Sequence, residues 1–536
     1  MLEPFRIASL GTCWTLLLLA ACSQSGSDKV DANVLIRASK SEPASLNPQL
    51  VYDTGSAEIA RDLFEGLLRW DQSGNLIPAA AESYQISEDG KRLLFSIRNN
   101  ARWSNGDRLT AEDFVRGLQF ALSPENKSPQ AALLRPIKNA GSVLDLKAPA
   151  ENIGVVAISD SQLAIDLEAP APYFVTLLDY PLTYPRHAST SDAAPITNGA
   201  YSLVSHRPGY RTDLAKNRYY WDNANVQISE VQYLHLDAEV TEVNLFRSGE
   251  LHISSTVPSS MAPLLLKDHP EEYHTTPQLG TYYYAFNLTE GPLSDETIRV
   301  ALIEAVDTTE LTAELLFSGQ APASTLIPPY LWDSGFGNDP RTSQTKKIDA
   351  LEQARAKLEE QGYTERTPLP IRLAINSGDN HRKIALYVAN AWNELLPVEV
   401  EIQSYEFKVL LDIQKDKSAW DVVRTSWTAD FPDAVNFLEI FVGSSPNNIP
   451  GYNDDYYNRL VAESYDTSDS LERAKVLYAA EQRLVTSNSN LFLYHYVDRR
   501  LASSQLGAFV GNKLGIYRSQ DLYFKSSQSS REDLSK

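Results

Sequence analysis

Both cysteines of this chain, Cys13 and Cys22, fall within its first two dozen residues, so the long remainder must fold without a disulfide. Such a chain stands on burial alone. With 536 residues, 43% of them hydrophobic, it has the material for that. Single cores stop growing near ~250–300 residues, which predicts two or more lobes. The formal net charge of −21 surrounds the molecule with a negative field that repels nucleic acid and anionic lipid, and no nucleic-acid partner is expected. The 27 tyrosines and 8 tryptophans supply far more ring surface than a disordered acidic chain carries, and aromatic-rich surfaces often serve ligands.

The N-terminus reads as an export leader. Arg6 precedes an apolar run from Ile7 to Leu19, too short to span a bilayer comfortably, and the run ends in Leu19-Ala20-Ala21-Cys22. The order apolar, small, small, Cys resembles a bacterial lipobox, which implies cleavage after Ala21 and acylation of Cys22, two or three chains giving a stable anchor. Residues 1–21 are then a signal peptide and 22–32 a polar tether. No later stretch approaches the ~18 apolar residues of a membrane-spanning helix. The expected location is therefore the periplasm or cell envelope, lipid-anchored.

Beyond the tether, strands and helices mix. Leu93 to Ile97 reads as a strand behind a Glu88-Asp89-Gly90-Lys91 turn, and Thr110 and Asp113 have capping-box spacing ahead of Phe114, Val115 and Leu118. A helix is predicted over 348–361, with Leu351, Ala354 and Leu358 on one face and Gly362 closing it. Leu369, Ile371, Leu373 and Ile375 then alternate, a helical stretch carries Ile384, Val388 and Trp392, and Val398, Val400 and Ile402 alternate again, which is a βαβ unit. Asp469 and Glu472 open a further amphipathic helix through Leu477, Ala480 and Leu484.

Catalytic signatures are missing. The eight histidines are dispersed, with no HExxH, HxH or CxxC pattern, and no nucleophile elbow, Walker loop or GxGxxG fingerprint occurs. No enzyme activity, metal or cofactor is expected. Carboxylate pairs such as Asp454-Asp455, or Asp430 with Asp433, read as solvated surface in a chain with 69 acidic residues. What stands out is the run from Trp420 to Asp433, where a strand-like start delivers Arg424, Trp427 and Asp430 into a loop holding Pro432. Taken alone, that set reads first as a structural Arg–Asp ion pair beside a core tryptophan.

An ordered series of motifs changes this reading. Ser41-Glu42-Pro43-Ala44-Ser45-Leu46-Asn47-Pro48, Arg61-Asp62-Leu63-Phe64-Glu65-Gly66-Leu67, Ala101-Arg102-Trp103-Ser104-Asn105-Gly106, Thr197-Asn198-Gly199-Ala200-Tyr201 and Tyr220-Trp221-Asp222-Asn223-Ala224 lead to the Trp427 to Asp430 loop. In content and order the series resembles the bacterial extracellular solute-binding proteins of family 5, the oligopeptide, dipeptide and nickel-binding group. The resemblance covers essentially the whole mature chain. It implies an α/β, two-lobed periplasmic-binding-protein fold (type II, cluster C-like) with an extra subdomain and a ligand cleft between the lobes. The implied division is lobe I over 33–54, 192–275 and 499–536, the subdomain over 55–191, and lobe II over 276–498. Hinge closure would signal occupancy to an inner-membrane ABC permease and its ATPase, and the binder itself is expected to be a monomer.

Residue by residue, the resemblance implies a clamp for short peptides. Asp430 matches the aspartate that binds the peptide α-ammonium, for which a carboxylate in a dry cleft is the right group. The backbone around Glu42, Ser426 and Thr428 matches strands that pair with an extended peptide main chain. Trp427 and Phe407 match aromatic pocket walls, while Arg424, Lys415 and His381 match basic positions that meet the peptide carboxylate. Tyr282, Tyr283 and Tyr284 would line or support the cleft. A murein peptide, a nickel complex or an oligosaccharide is the alternative ligand, and a periplasmic chaperone or sensor the alternative role. The chain departs from the family pattern, and the stretch between Pro185 and Pro195 looks shorter than in its relatives. Gly280 and Thr428 stand where Gram-negative oligopeptide binders often carry a cysteine pair, and Gln130-Ala131-Ala132 lacks an aromatic often found there.

Overall fold

The computed structural model describes residues 33–39, 42–191, 194–332, 344–509 and 514–525. The expected signal peptide, Cys22 and the tether lie outside the described residues. Three sheets carry the architecture. In the first, Val34–Ser39 runs parallel to Glu230–His235, followed outward by Arg211–Lys216 and Tyr201–Arg207 in antiparallel order. A parallel pair between strands so far apart in sequence leaves room for a large insertion, and the second sheet lies within it. That sheet is antiparallel, in the order Ala81–Ile86, Arg92–Ile97, Gln162–Asp166, Val155–Ser159. The third has six strands, in the order Ala321–Pro322, Asn490–Leu501, Tyr273–Phe286, Val422–Thr428, Leu369–Asn376, Val398–Tyr405. These layers build the two-lobed α/β fold with its extra subdomain.

Local chemistry accounts for the elements that frame the cleft. Leu369–Asn376 and Val398–Tyr405 pair in parallel, and the helix between them, Asp379–Leu395, buries Ile384, Val388 and Trp392, whose indole N–H donates to the Leu302 carbonyl at 2.7 Å. At the helix Ala111–Leu122, Asp113 serves the capping box in place of Glu: its Oδ2 accepts the Thr110 N–H at 2.9 Å and the Trp103 indole N–H at 3.1 Å. Gly117 in this helix lies against the Tyr184 carbonyl, where a Cβ would stand 2.2 Å from the oxygen, so only glycine permits the approach. The helix predicted over 348–361 starts earlier, spanning Gln344–Glu360, because Gln344-Thr345-Lys346-Lys347 has no apolar periodicity to announce it. Gly362 ends it at φ +90°, with the Tyr363 N–H on the Leu358 carbonyl at 2.8 Å. Asp469 caps the helix Ser470–Thr486 by accepting the Leu471 and Glu472 N–H groups.

Two long strands connect the first sheet to the third. Tyr273–Phe286 and Asn490–Leu501 pair antiparallel from Tyr273 opposite Leu501 to Ala285 opposite Asn490, with register shifts between Pro277 and Thr281 and between Tyr282 and Tyr283. The Leu501 end is tied to the first sheet, since the Ser254 N–H donates to the Leu501 carbonyl at 2.9 Å and the Ala38 N–H to the Ile253 carbonyl at 2.8 Å. A register shift breaks the ladder locally and lets the ribbon bend.

Beside that junction lies a buried charge network. Arg37 is fully buried and donates to Glu58 Oε2 at 3.0 Å, Ser519 Oγ at 2.9 Å and the Tyr517 carbonyl at 3.0 Å. Arg500, on the strand Asn490–Leu501, donates to Glu58 Oε1 at 2.6 Å and to Asp498 Oδ2 at 2.6 Å. Burial pushes the Glu58 carboxyl up, but Arg500 and Arg37 outweigh it and hold the group below the usual carboxylate range.

Candidate ligand-binding cleft

The strand Val422–Thr428 pairs with Tyr273–Phe286 along its whole length, but with Leu369–Asn376 only at Val422 and Val423. From Arg424 onward its second edge carries no partner strand among the described residues. Main-chain groups of successive residues point to opposite edges of a strand. The Ala429 N–H donates to the Leu279 carbonyl at 2.7 Å, on the paired side, whereas the Arg424 carbonyl accepts the Gln414 side chain at 3.1 Å on the other. Ser426 and Thr428 therefore present their main-chain groups at the free edge.

Past Thr428 the chain turns through a pinned loop. Asn436, 1% exposed, accepts at Oδ1 both the Trp427 indole N–H at 3.1 Å and the Asp430 main-chain N–H at 3.0 Å, and donates to Glu439 Oε1 at 3.1 Å. Asp433 is joined to Arg473 by two bonds of 2.8 and 2.9 Å, and its side chain is 11% exposed. The expectation that this carboxylate is solvated surface is thus corrected: it is a ligand of a half-buried guanidinium. Phe431 stacks on Tyr173 with ring centroids 4.5 Å apart. Held on both sides, Asp430 projects into a cavity of about 230 Å³, whose walls include Asp53, Arg61, Trp70 and Tyr180 across from it. No cation pairs with Asp430 among the described residues. Water reaches the carboxylate, yet the surrounding protein removes enough of it to raise the pKa.

The remaining expected residues divide into three groups. Arg424 is 7% exposed; its guanidinium lies 4.6 Å over the Tyr282 ring and donates to the Tyr496 hydroxyl at 3.2 Å, while its Nε finds no partner among the described residues. His381 shares a 3.0 Å hydrogen bond with the Tyr282 hydroxyl and stacks on that ring at 5.6 Å. Burial and the charge of Arg424 push its pKa down to about 4, so at neutral pH His381 is an uncharged partner rather than the basic group expected from the sequence.

Tyr282, Tyr283 and Tyr284 are 0–1% exposed, so of the two expected roles, lining or supporting the cleft, burial fits support. Alternation sends Tyr283 into one core, with Phe437, Phe441 and Tyr457, and Tyr282 and Tyr284 into the opposite one, with Ile384, Val388 and Trp392. They support the cleft from behind.

Glu42, Lys415 and Phe407 stand away from the cavity at Asp430. Glu42 is exposed and accepts the Gly209 N–H at 2.9 Å; Lys415 pairs with Asp412 at 2.8 Å on the surface; Phe407 is 51% exposed at the start of the helix Phe407–Ile413. Gly280 and Thr428 face each other in register, and a Cβ on Gly280 would lie 3.0 Å from Thr428 Oγ1. Sequence reasoning missed Asn436, Arg473 and the opposite wall of Asp53, Arg61 and Tyr180. Asp433 two residues before a helical turn carried a capping signal, whereas Arg473 and the opposite wall are remote in sequence and left no local trace.

A two-lobed α/β chain in which a strand edge and a carboxylate facing a cavity find no partner among the described residues has the fold of a solute-binding protein. The family model "Bacterial extracellular solute-binding proteins, family 5 Middle" matches residues 75–449, and the chain belongs to this family. The periplasmic oligopeptide-binding protein OppA of Salmonella typhimurium is 34% identical over 504 residues, covering 92% of each chain. The periplasmic murein peptide-binding protein MppA of Escherichia coli is 31% identical over 531 residues, covering 96% of this chain and 98% of its own. A solved structure of MppA in its unliganded open form matches with a TM-score of 0.83 at 31% identity, covering 93% of this chain and 98% of that one.

Proposed function

We propose that this protein is the substrate-binding component of a peptide ABC importer, capturing short oligopeptides in a closing cleft and delivering them to an inner-membrane permease driven by its ATPase. The observation that carries the reading is Asp430, a carboxylate with no cation partner among the described residues, on an otherwise pinned loop, facing the cavity it shares with Asp53, Arg61 and Tyr180. In a closing cleft such a group needs a cationic partner, and a peptide α-ammonium is one. The free edge at Ser426 and Thr428 favours pairing with an extended peptide main chain, and the under-partnered Arg424 favours a carboxylate at the other end of the ligand, with neutral His381 beside it. Trp427, its indole fixed by Asn436, is suited to a side-chain pocket wall.

On this reading 33–54, 192–275 and 499–536 form lobe I, 55–191 the extra subdomain and 276–498 lobe II. The paired strands Tyr273–Phe286 and Asn490–Leu501 are the hinge, bending at the shift between Pro277 and Thr281. Residues 1–21 are removed, and the acylated Cys22 holds a monomer at the membrane on the periplasmic side. The periplasmic relatives and their names support the periplasmic compartment and peptide binding. MppA supports a second reading, a murein peptide as the specialised ligand, which would use the same ammonium site.

Calorimetric titration of the soluble domain tests the proposal. Alanine peptides with a free amine are expected to bind at about micromolar affinity or tighter, and their N-acetylated forms at least ~30-fold more weakly. Equal affinity for both forms would contradict it.

A further inference from the structure

The wall opposite Asp430 carries a polar group that the clamp described above does not use. Tyr180 follows the 3-10 segment Pro172–Asp179, precedes Pro181, and lines the same cavity of about 230 Å³ as Asp430. Its ring is half-buried, burial raises its pKa, and the charges of Arg61, Asp430 and Asp53 and the Gln130 side chain act on it. The carbonyl of Tyr180 accepts the Thr183 hydroxyl at 2.9 Å and its N–H donates to the Leu177 carbonyl at 2.8 Å, so the backbone beneath the ring is fixed.

We propose that Tyr180 is the second ligand of the peptide ammonium, completing from the facing wall the site that Asp430 opens. The inference rests on the reading of Asp430 given above. An alkylammonium has three N–H donors, and a single carboxylate on one wall leaves at least one of them unmet once water is expelled. A phenol oxygen at the cavity surface accepts such a donor, and the face of the same ring attracts the charge. Gln130 acts on the phenol as an amide N–H donor, which occupies one phenol lone pair and leaves the other for the ligand.

Two other charged groups of this wall bear on the site. Asp53 accepts the Ser56 N–H at 2.8 Å and the Ser56 hydroxyl at 2.5 Å, so it contributes negative field rather than contact. Arg61 also lines the cavity, its Nε 3.8 Å from Asp179 Oδ2, and Asp179 and Asp430 together offset its charge there.

Tyr180→Phe keeps the ring and removes the oxygen. Titrated with alanine peptides, it is expected to lose roughly tenfold in affinity for the free-amine form and to leave the N-acetylated form unchanged. In the background of Asp430→Asn the same substitution should lose much less, because both residues would ligate one ammonium. Equal weakening of both peptide forms would make the hydroxyl a structural contact and overturn the proposal. Measuring Asp430→Asn alone separates the two failures. If it discriminates between the peptide forms while Tyr180→Phe does not, the Tyr180 assignment falls and the peptide reading stands. If neither discriminates, the ammonium site itself is wrong.

Discussion

Glu58→Ala is expected to destabilise the fold by about 3–5 kcal/mol, the largest effect of any single substitution considered for this chain. Among the described residues Glu58 is the one carboxylate that receives both Arg37 and Arg500, at 3.0 and 2.6 Å, and these guanidiniums are 0% and 4% exposed. Its removal leaves two cations in a region that already holds unpartnered polar atoms, Arg37 Nε and Arg500 Nη1, so water cannot simply be readmitted without opening the structure. Asp62 lies 4.0 Å from Arg37 and Asp498 bonds Arg500, which limits the loss without replacing the bridge. Glu58→Gln, which keeps one acceptor and loses the charge, should fall between wild type and alanine. Because the folded pKa of Glu58 is lowered, its contribution is complete above the ordinary carboxylate pKa and is lost as pH falls through the folded value. Urea denaturation of the three proteins at neutral pH checks the order; an alanine variant within about 1 kcal/mol of wild type would mean the network is not stabilising.

Asp430→Asn is expected to weaken binding of free-amine peptides by about 2–3 kcal/mol while sparing their N-acetylated forms. The substitution is nearly isosteric, and the loop is held by main-chain and neighbouring contacts, Asn436 on the Asp430 N–H and Arg473 on Asp433, so the geometry should survive. What is removed is the charge that offsets desolvation of the ammonium. Since burial raises the Asp430 pKa, the ionised carboxylate is disfavoured in the empty cleft, and the variant should be no less stable than wild type when unliganded. Calorimetry with both peptide forms, alongside thermal denaturation without ligand, reads the two effects separately. Equal loss for both ligand forms would remove Asp430 from the ammonium site.

The parts of this account that were legible in the sequence are those with local causes. The βαβ unit over 369–405, the Asp469 cap and the Gly362 stop each depend on residues a few positions apart, and each appears where periodicity and capping put it. The parallel pairing of Val34–Ser39 with Glu230–His235 has no local signature and was approachable only through family resemblance.

The site divides in the same way. Ser426 and Thr428 share an edge by simple alternation, but that the edge is free depends on the Leu369–Asn376 strand parting from it after Val423. The sequence leaves Tyr282 to Tyr284 to line or to support the cleft, and that they support it follows from both faces of the strand being packed. His381 has the residue type of a base, yet burial beside Arg424 makes it neutral. Tyr180 and Asn436 acquire meaning only from which groups the fold sets opposite or beneath Asp430.

The central claim is tested most directly by native mass spectrometry of the soluble domain, purified without denaturant, with release and sequencing of whatever remains bound. A mixed set of short peptides with free N-termini is the predicted result, and a single murein-derived peptide would keep the ammonium site while narrowing the ligand. A protein that carries only a metal chelate or a sugar, or that stays empty when offered a peptide pool, would contradict the account.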